Sequence, residues 1–358
     1  MRSQRTRGLA TGSKRNVLDA NGNTTTYWIT GAVFYDKYDR PIQTQSNNHL
    51  HTGFTTATLD KATVIYDFVK PIKTKSSHYQ NATTAVHLED WNDFDHAGRV
   101  LKTYRKINGG TSQLLVQYEY NALGQVVDKK LHDTGGSTFL QSIDYRYNIR
   151  GWLISINNSQ LNVNAANNDE TNDYFGMELI YNTTESGLSN NLRYNGNISA
   201  VKWKGLGAVA ALADQRSYKF EYDKSDRLKS ATFQAHKGTA WTKEVGTLNE
   251  AQTYDVNGNI KTLERKRNLR SNTGITITAT PETFDNLTYT FANNLDKLTK
   301  VEDAASVSAG FLNGVNTTTE YTYNTDGSLT ADNNKGISSI TYNLLGKPQV
   351  INFFPVKR

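Results

Sequence analysis

The sequence contains no cysteine, and only five prolines and two methionines among its 358 residues. The absence of cysteine excludes a disulfide scaffold, thiolate zinc sites, iron–sulfur clusters and a cysteine nucleophile. No apolar run approaches the roughly 20 residues that a membrane-spanning helix needs, so no membrane span is expected. The first residues also lack an apolar leader, so they show no secretory signal.

The net positive charge of the chain is concentrated in its N-terminal residues. The first fifteen residues carry five basic and no acidic side chains, so the net charge of +6 falls to +1 over residues 16–358. A nucleic-acid-binding domain would need basic side chains clustered within its folded part. We therefore expect no nucleic-acid partner, and we expect residues 1–29 to form a basic, flexible segment.

Motifs that carry chemistry are also absent. The sequence has no phosphate-binding glycine loop, no HExxH zinc motif and no GxSxG nucleophile in a strand–helix context. His49 and His51 share a face if they lie on a strand, but no third metal ligand accompanies them. The sequence from Asp255 to Asn259 is similar to the start of a calcium loop, but Lys266 occupies the place of the final glutamate.

Acidic pairs such as Glu89 with Asp90, or Asp93 with Asp95, could be read as a glycosidase dyad. Pairs of this kind arise by chance among 34 acidic residues. We therefore predict that the chain is not an enzyme, with no catalytic residue, no metal and no cofactor.

A short pattern recurs through most of the chain, in about eleven copies. It reads aromatic, Asn or Asp, two variable residues, Gly, polar and apolar, as in the sequence from Tyr120 to Val126. The copy at Tyr194 has a shortened turn, and the copy at Phe291 has one extra residue. The predicted structural positions of the repeat are Tyr35, Asp36, Tyr66, Asp67, Phe94, Asp95, Gly98, Tyr120, Asn121, Gly124, Tyr147, Asn148, Gly151, Tyr194, Tyr222, Asp223, Tyr254, Asp255, Gly258, Phe291, Tyr323, Asn324, Gly327, Tyr342, Asn343 and Gly346.

Each position of the repeat has a physical reason. Asn or Asp opens a type I turn, because its side chain bonds the backbone two residues on. Glycine three residues later takes a positive φ, as in a hairpin with a G1 bulge. Asp39 and Asp226 stand at that position in two copies and tolerate it, whereas Lys70 tolerates it less well, so its turn is expected to differ.

The residues around each turn alternate between apolar and polar, which predicts β-hairpins with one apolar face. The sequence therefore predicts an all-β fold, with a hairpin array over residues 30–352 and a tail over residues 353–358. Residues 155–191 repeat least and are rich in Asn, so we interpret them as a surface excursion from the array that contains a strand near residues 174–181.

The repeat resembles that of the RHS/YD-repeat family. The copies from Tyr222 to Leu228 and from Phe94 to Val100 carry the resemblance best, and it covers about residues 30–352. It implies a solenoid-like ribbon of hairpins that curls as part of a hollow shell. In bacterial polymorphic toxins and insecticidal toxin-complex C components such a shell encloses a toxin, and the similar barrel of teneurins serves cell adhesion.

The chain departs from the full family pattern at its end. After the last repeat it reads Phe353 to Arg358, without the Asp-Pro-x-Gly-like motif that would suggest self-cleavage. The resemblance therefore implies a bacterial shell portion without the C-terminal core and toxin. Its expected partners are the remainder of the shell or an enclosed toxin polypeptide, and its expected location is extracellular or in the cell envelope, as part of a secreted or surface delivery protein.

Two other functions stay open. The first is cell-surface adhesion or carbohydrate binding through the Asn- and Tyr-rich segment 155–191, with surface glycans as partners. The second, more remote, is glycoside hydrolysis. The repeat tyrosines could stack on sugars, but their recurrence at the start of every turn favours packing.

Overall fold

A computed structural model describes the greater part of the chain. The described residues are 8–18, 23–49, 58–68, 70–81, 85–136, 138–164, 168–206, 214–237, 239–269, 280–292, 296–305, 307 and 309–355. Across these ranges the chain forms antiparallel strands and turns without an α-helix, which confirms the predicted all-β class. Accordingly, none of the described residues belongs to a helix that could cross a membrane.

The chain divides into two compact units, Met1–Tyr145 and Arg146–Arg358. The first unit holds a ten-stranded sheet in which each strand pairs with its neighbours in sequence. Its strands are β1 (Gly12–Leu18), β2 (Thr24–Tyr35), β3 (Pro41–Ser46), β4 (Asp60–Tyr66), β5 (Pro71–Tyr79), β6 (Ala85–Phe94), β7 (Val100–Ile107), β8 (Gln113–Tyr120), β9 (Val126–Gly135) and β10 (Thr138–Gln141).

The remaining strands form an 11-stranded sheet, β11 to β21, and a four-stranded sheet, β22 to β25. Sequence order is kept in both, except that β18 pairs with β16 while β17 forms a side branch on β16. The strands are β11 (Tyr145–Tyr147), β12 (Leu153–Ile156), β13 (Phe175–Ile180), β14 (Ala200–Gly205), β15 (Arg216–Tyr222), β16 (Leu228–Lys237), β17 (Ala240–Lys243), β18 (Glu250–Tyr254), β19 (Ile260–Leu269), β20 (Thr280–Phe291), β21 (Leu298–Asp303), β22 (Tyr321–Tyr323), β23 (Leu329–Asp332), β24 (Ile337–Tyr342) and β25 (Pro348–Phe353).

The array starts earlier than the sequence pattern suggested. Residues 1–29 were expected to be a flexible segment, but β1 lies within them and pairs with β2 from Gly12 to Leu18. The arginines at positions 2, 5 and 7 lie outside the described residues. Lys14 lies on β1, with its ammonium 4.5 Å from the ring centroid of Trp28 on β2.

The repeat aromatic ends a strand and stands at a bulge in hairpin after hairpin. The pairing of β8 with β9, for example, shifts register between Glu119 and Tyr120. The same shift occurs at Tyr35, Tyr66, Phe94, Tyr222, Tyr254, Phe291, Tyr323 and Tyr342. The structure thus shows the bulge that the glycine position of the repeat predicts.

The two faces of the first sheet differ in character. The repeat aromatic and the residue two before it share one face, as Tyr118 and Tyr120 do, with ring centroids 6.3 Å apart. Leu59 is nevertheless the sole buried hydrophobic side chain among the described residues of this unit. The apolar face is therefore only half covered within the unit.

The second unit has a denser core. One buried hydrophobic cluster consists of Ile180, Leu188, Ala200 and Trp241. Phe233, on β16, is also fully buried. This core is where the 155–191 segment packs against the sheet.

The surface interpretation of residues 155–191 needs correction. The expected strand is present as β13, but Asn157, Asn158 and Ser159 are buried. The packing is close, because a Cβ added at Gly176 would lie 1.8 Å from the carbonyl oxygen of Asn158. The segment packs on the sheet because its polar side chains form hydrogen bonds and ion pairs with buried groups of the sheet.

Candidate functional site

Within each unit, the predicted repeat positions lie at a row of hairpin turns, which we call the turn edge of that unit. In the turn after β6, the backbone amide of Asp95 donates to the Arg99 carbonyl oxygen over 2.9 Å, and the Gly98 amide donates to the Asp95 carbonyl oxygen over 2.9 Å. The turns that open with Asp36, Asn121, Asn148, Asp223, Asp255, Asn324 and Asn343 repeat both bonds.

The Asn or Asp side chain closes each of these turns from within. Asp223 Oδ1 accepts the backbone amides of Ser225 at 2.8 Å and Arg227 at 3.0 Å. Asp255 Oδ1 does the same for Asn257 and Asn259, both at 2.9 Å. This use of Asp255 oxygens accounts for the calcium-like sequence as a hairpin turn.

The fourth turn residue has the left-handed backbone that the sequence predicts. Its φ is 82° at Gly124 and 95° at Gly258, and the two aspartates at this position, Asp39 and Asp226, have φ of 62° and 60°. Gly98, Gly151, Gly327 and Gly346 also have positive φ. A short polar side chain can therefore replace glycine here, as expected for Asp.

The turn edge is also a ladder, in which a cation from one turn lies on the aromatic ring of the next. The guanidinium of Arg40 is 4.4 Å from the ring centroid of Tyr66, and that of Arg99 is 4.5 Å from the ring of Tyr120. The same contact joins Lys70 to Phe94, Arg193 to Tyr222 and Arg227 to Tyr254. The ammonium of Lys297 lies farther, 6.0 Å from the ring centroid of Tyr323. An isolated contact of this kind contributes about 0.5–1 kcal/mol when exposed.

The repeat tyrosines add a second link between neighbouring turns. The Tyr120 hydroxyl donates to the Val100 carbonyl oxygen at 2.7 Å, and the Tyr254 hydroxyl donates to that of Leu228 at 2.8 Å. In each case the acceptor directly follows the stacked arginine. Tyr66 bonds Pro41, the residue after Arg40, in the same way. The hydroxyls of Tyr222 and Tyr342 also donate to carbonyl oxygens, those of Ile198 and Leu329, but these acceptors do not directly follow a stacked arginine.

Aspartate fixes the orientation of these arginines. Arg227 Nε donates to Asp223 Oδ2 at 2.7 Å, and Nη2 lies 2.7 Å from the same oxygen. Burial alone would raise the pKa of Asp223, but the hydrogen bonds from Arg227 more than offset this and hold the pKa below its usual value. The pKa of Asp36 and of Asp95 is lowered by the equivalent bonds from Arg40 and Arg99, again against an opposing effect of burial.

Three predicted copies depart from the common turn. The Asp67 amide donates to the Lys70 carbonyl oxygen, which makes this turn one residue shorter and gives Lys70 the place of the stacked cation. The turn after Phe291 is one residue longer, with the Ala292 amide bonded to the Lys297 carbonyl oxygen, and residues 293–295 lie outside the described residues.

The copy at Tyr194 is corrected by the structure. Tyr194 lies in the connection between β13 and β14 instead of ending a strand, and its side chain is exposed. The copy nevertheless keeps its links to the next turn, because Arg193 lies on Tyr222 and the Ile198 carbonyl oxygen accepts the Tyr222 hydroxyl.

A second feature, which the sequence did not reveal, is a polar row across five strands of the second unit. Register pairs place Ser155, Glu178, Lys202, Ser217 and Gln234 side by side on β12 to β16. All but Glu178 are buried. No local motif connects these residues, so only the pairing of the strands brings them together.

Lys202 is the centre of this row, and its side chain is 10% exposed. Its ammonium lies 2.9 Å from a carboxylate oxygen of Glu178 and 2.9 Å from one of Glu185. Ser159 anchors the other Glu178 oxygen, with its hydroxyl at 2.5 Å and its amide at 3.0 Å. Glu185 and Ser159 both belong to the 155–191 segment, which explains why that segment is held on the sheet.

These contacts fix the charges of the cluster. Burial lowers the pKa of Lys202, but the hydrogen bonds to Glu178 and Glu185 outweigh it, so the pKa is raised. Burial raises the pKa of Glu178, and the bonds from Ser159 and Lys202 reverse this, so the pKa is lowered. Both groups therefore stay ionised at neutral pH, which suits a structural ion cluster and not proton transfer.

The other candidates remain isolated. The Glu89 carboxylate forms ion pairs with the ammonium groups of Lys73 and Lys75. The side-chain hydrogen bonds from these two lysines lower the pKa of Glu89 to about 2. Asp90 pairs with Arg105, so each of the two carboxylates is engaged in an ion pair of its own. His51 lies outside the described residues, so the structure does not describe the spacing of His49 and His51.

Comparisons with known proteins name no family for this chain. No family model matches the sequence, and no curated protein matches it. The chain is similar to the crystal structures of TcdB2-TccC3-TEV (TM-score 0.30, 10% identity), TcdB2-TccC3-Cdc42 (0.29, 9%) and TcdB2-TccC3 (0.29, 9%). In each case 97% of this chain is covered, and it spans 20% of the other chain's length.

Proposed function

We propose that this chain is a non-catalytic structural segment of an RHS/YD-repeat shell, part of a secreted or surface delivery protein of the polymorphic-toxin type. The observation that carries the proposal is the turn-edge ladder. It repeats the same cation–aromatic contact and tyrosine hydrogen bond from one hairpin to the next, so each hairpin supports its neighbour as in other repeat proteins. Such a design extends a wall by adding hairpins.

The half-covered apolar face of the first sheet supports the same proposal. A sheet needs a layer against its apolar face to be stable in water. Within the described part of the first unit this layer is thin, since one hydrophobic side chain is buried there. We propose that further shell or an enclosed polypeptide completes the cover.

The charges in the second unit favour a structural role. The most buried ion cluster, around Lys202, is locked in its ionised form by Glu178 and Glu185. A catalytic lysine or glutamate would instead need a pKa moved toward neutrality.

The test is a protease-protection experiment on the protein purified from its natural producer together with the polypeptides that accompany it. We expect an accompanying polypeptide to resist a protease until the shell is unfolded, and electron microscopy to show the chain in a curved wall. Two results would contradict the proposal: full protease sensitivity of every accompanying polypeptide, or turnover of a polysaccharide that Glu178→Gln abolishes.

A further inference from the structure

We infer that a pocket in the second unit binds a neutral, polyhydroxylated ligand of monosaccharide size. The pocket has a volume of about 360 Å³ and lies where β12 and β13 separate. These strands share only two register pairs, Ser155 with Glu178 and Ile156 with Met177. Beyond them the Tyr181 hydroxyl donates to the Leu153 carbonyl oxygen at 3.0 Å, which bridges the gap between the strands.

The floor of the pocket has an unpaired hydroxyl. Ser155 lines the pocket and is 3% exposed, and its Oγ has no hydrogen-bond partner among the residues that the structure describes. A buried polar group without a partner costs about 1–3 kcal/mol. A ligand hydroxyl that both donates and accepts would remove this cost.

The wall of the pocket contains a carboxylate with one oxygen available to accept a hydrogen bond. Glu185 lines the pocket, and one of its oxygens is bound by Lys202 at 2.9 Å. Its other oxygen accepts no hydrogen bond from the part of the chain that the structure describes. That oxygen suits a ligand hydroxyl, since carboxylate acceptors form the stronger hydrogen bonds.

The charge near the pocket and the apolar residues that line it favour one class of ligand. Glu178, Glu185 and Lys202 together carry a net charge of −1, which disfavours an anion. Ile180 and Tyr181 supply apolar surface on which the C–H face of a sugar ring can lie. A volume near the lower end of known ligand pockets limits the ligand to one ring or little more.

The neighbouring Trp152 provides a signal for binding, because its ring centroid is 5.2 Å from that of Tyr181. The experiment titrates the full chain with galactose, N-acetylglucosamine and glucuronate, and follows tryptophan emission and NMR shifts. We expect at least one neutral sugar to bind with a Kd of about 1 mM, a typical weak affinity. We expect glucuronate to bind at least about tenfold more weakly, a difference of about 1.4 kcal/mol.

Two variants test the assigned contacts. Ser155→Ala and Glu185→Gln should each weaken sugar binding about tenfold, the value of one good hydrogen bond. Glu119→Gln, on the first unit, is the matched control and should bind as the parent protein does. Melting curves identify a variant that fails to fold, and the other variant then decides the question.

The inference is overturned if neither neutral sugar binds, if glucuronate binds equally well, or if both pocket variants bind as the parent does. The pocket shares Asn148 with the turn edge, but Ser155 and Glu185, the two residues tested, make none of the contacts between neighbouring turns. A failure of sugar binding therefore leaves the proposed shell role standing.

Discussion

The guanidinium of Arg227 lies 4.4 Å from the ring centroid of Tyr254, and the Tyr254 hydroxyl donates to the carbonyl oxygen of Leu228, the residue that follows the arginine. Two neighbouring hairpins are thus joined by two contacts, and the Tyr254 side chain makes both of them. Arg227 also binds Asp223 within its own turn, so the pair transmits the geometry of one turn to the next.

A double-mutant cycle measures this coupling. We expect Arg227→Ala to cost about 1–2 kcal/mol and Tyr254→Leu, which removes the ring as well as the hydroxyl, about 2–3 kcal/mol of unfolding free energy, with an interaction term of about 0.5–1 kcal/mol. The control cycle combines Arg227→Ala with Tyr342→Leu, since Tyr342 bonds Leu329 at another turn. Denaturant unfolding should give additive effects for the control, and additivity in the test cycle as well would exclude coupling through the pair.

The left-handed turn position gives a second prediction, clearest at Gly327. Its φ is 83°, and a Cβ added there would meet no atom within 4 Å, so the backbone conformation alone sets the cost of substitution. We expect Gly327→Ala to lower stability by about 1 kcal/mol and Gly327→Asn to lower it less, because Asn tolerates this region. Thermal unfolding of the two variants decides the order, and equal costs would contradict the conformational explanation.

The turn aspartates predict how stability depends on acid. The folded pKa values of Asp36, Asp95 and Asp223 are below the unfolded value of 3.8, because arginine hydrogen bonds outweigh burial. Their contribution is present above that value and is lost as the pH falls through the folded pKa.

Replacing all three aspartates with asparagine should therefore flatten the acid limb of the stability curve. Asparagine keeps the Oδ1 acceptor for the turn amides, as Asn121 shows with bonds of 3.0 Å from Leu123 and Gln125. Urea unfolding at several pH values between about 2 and 6 makes the measurement. An acid limb identical to that of the parent protein would show that these carboxylates do not govern it.

The buried ion cluster predicts a large effect at Lys202. Lys202→Met leaves Glu178 and Glu185 without their cation, and breaking a buried pair in this way costs about 3–5 kcal/mol. Lys75→Met removes a partner of Glu89 from an exposed site, where such pairs contribute about 0–1 kcal/mol. Chemical unfolding of both variants makes the comparison, and a small loss at Lys202 would mean that water reaches the cluster freely.

The sequence predicts much of the fold because its information is local. Turn chemistry at residues such as Asn121 and Gly124 needs only a few adjacent positions, and the alternation around them fixes the hairpin. The sequence indicates the cations of the ladder, since Arg40, Arg99 and Arg227 occupy the same position in their repeats. Their target, the ring of the following repeat, depends on the stacking of hairpins and could not be deduced from one copy.

The polar row could not be predicted from the sequence. Ser155 and Glu178 pair across the non-repeating segment, and Lys202 joins them only because β14 lies beside β13. The Asn-rich composition of this segment suggested a solvated loop, and many of those amides are instead buried with partners. Asn190, for example, donates to Ser199 Oγ at 2.6 Å and to the Thr183 carbonyl oxygen at 2.9 Å.

Mutual support between neighbouring hairpins is tested most directly by hydrogen–deuterium exchange of the Arg99→Ala variant. Arg99 stacks on Tyr120, so we predict faster amide exchange not only in its own turn but also in β8 and β9, the strands of the next hairpin. Arg105→Ala, which removes an exposed ion pair between β7 and Asp90 on β6, should leave β8 and β9 protected. Faster exchange confined to residues 95–100 in Arg99→Ala would contradict a wall in which each hairpin stabilises the next.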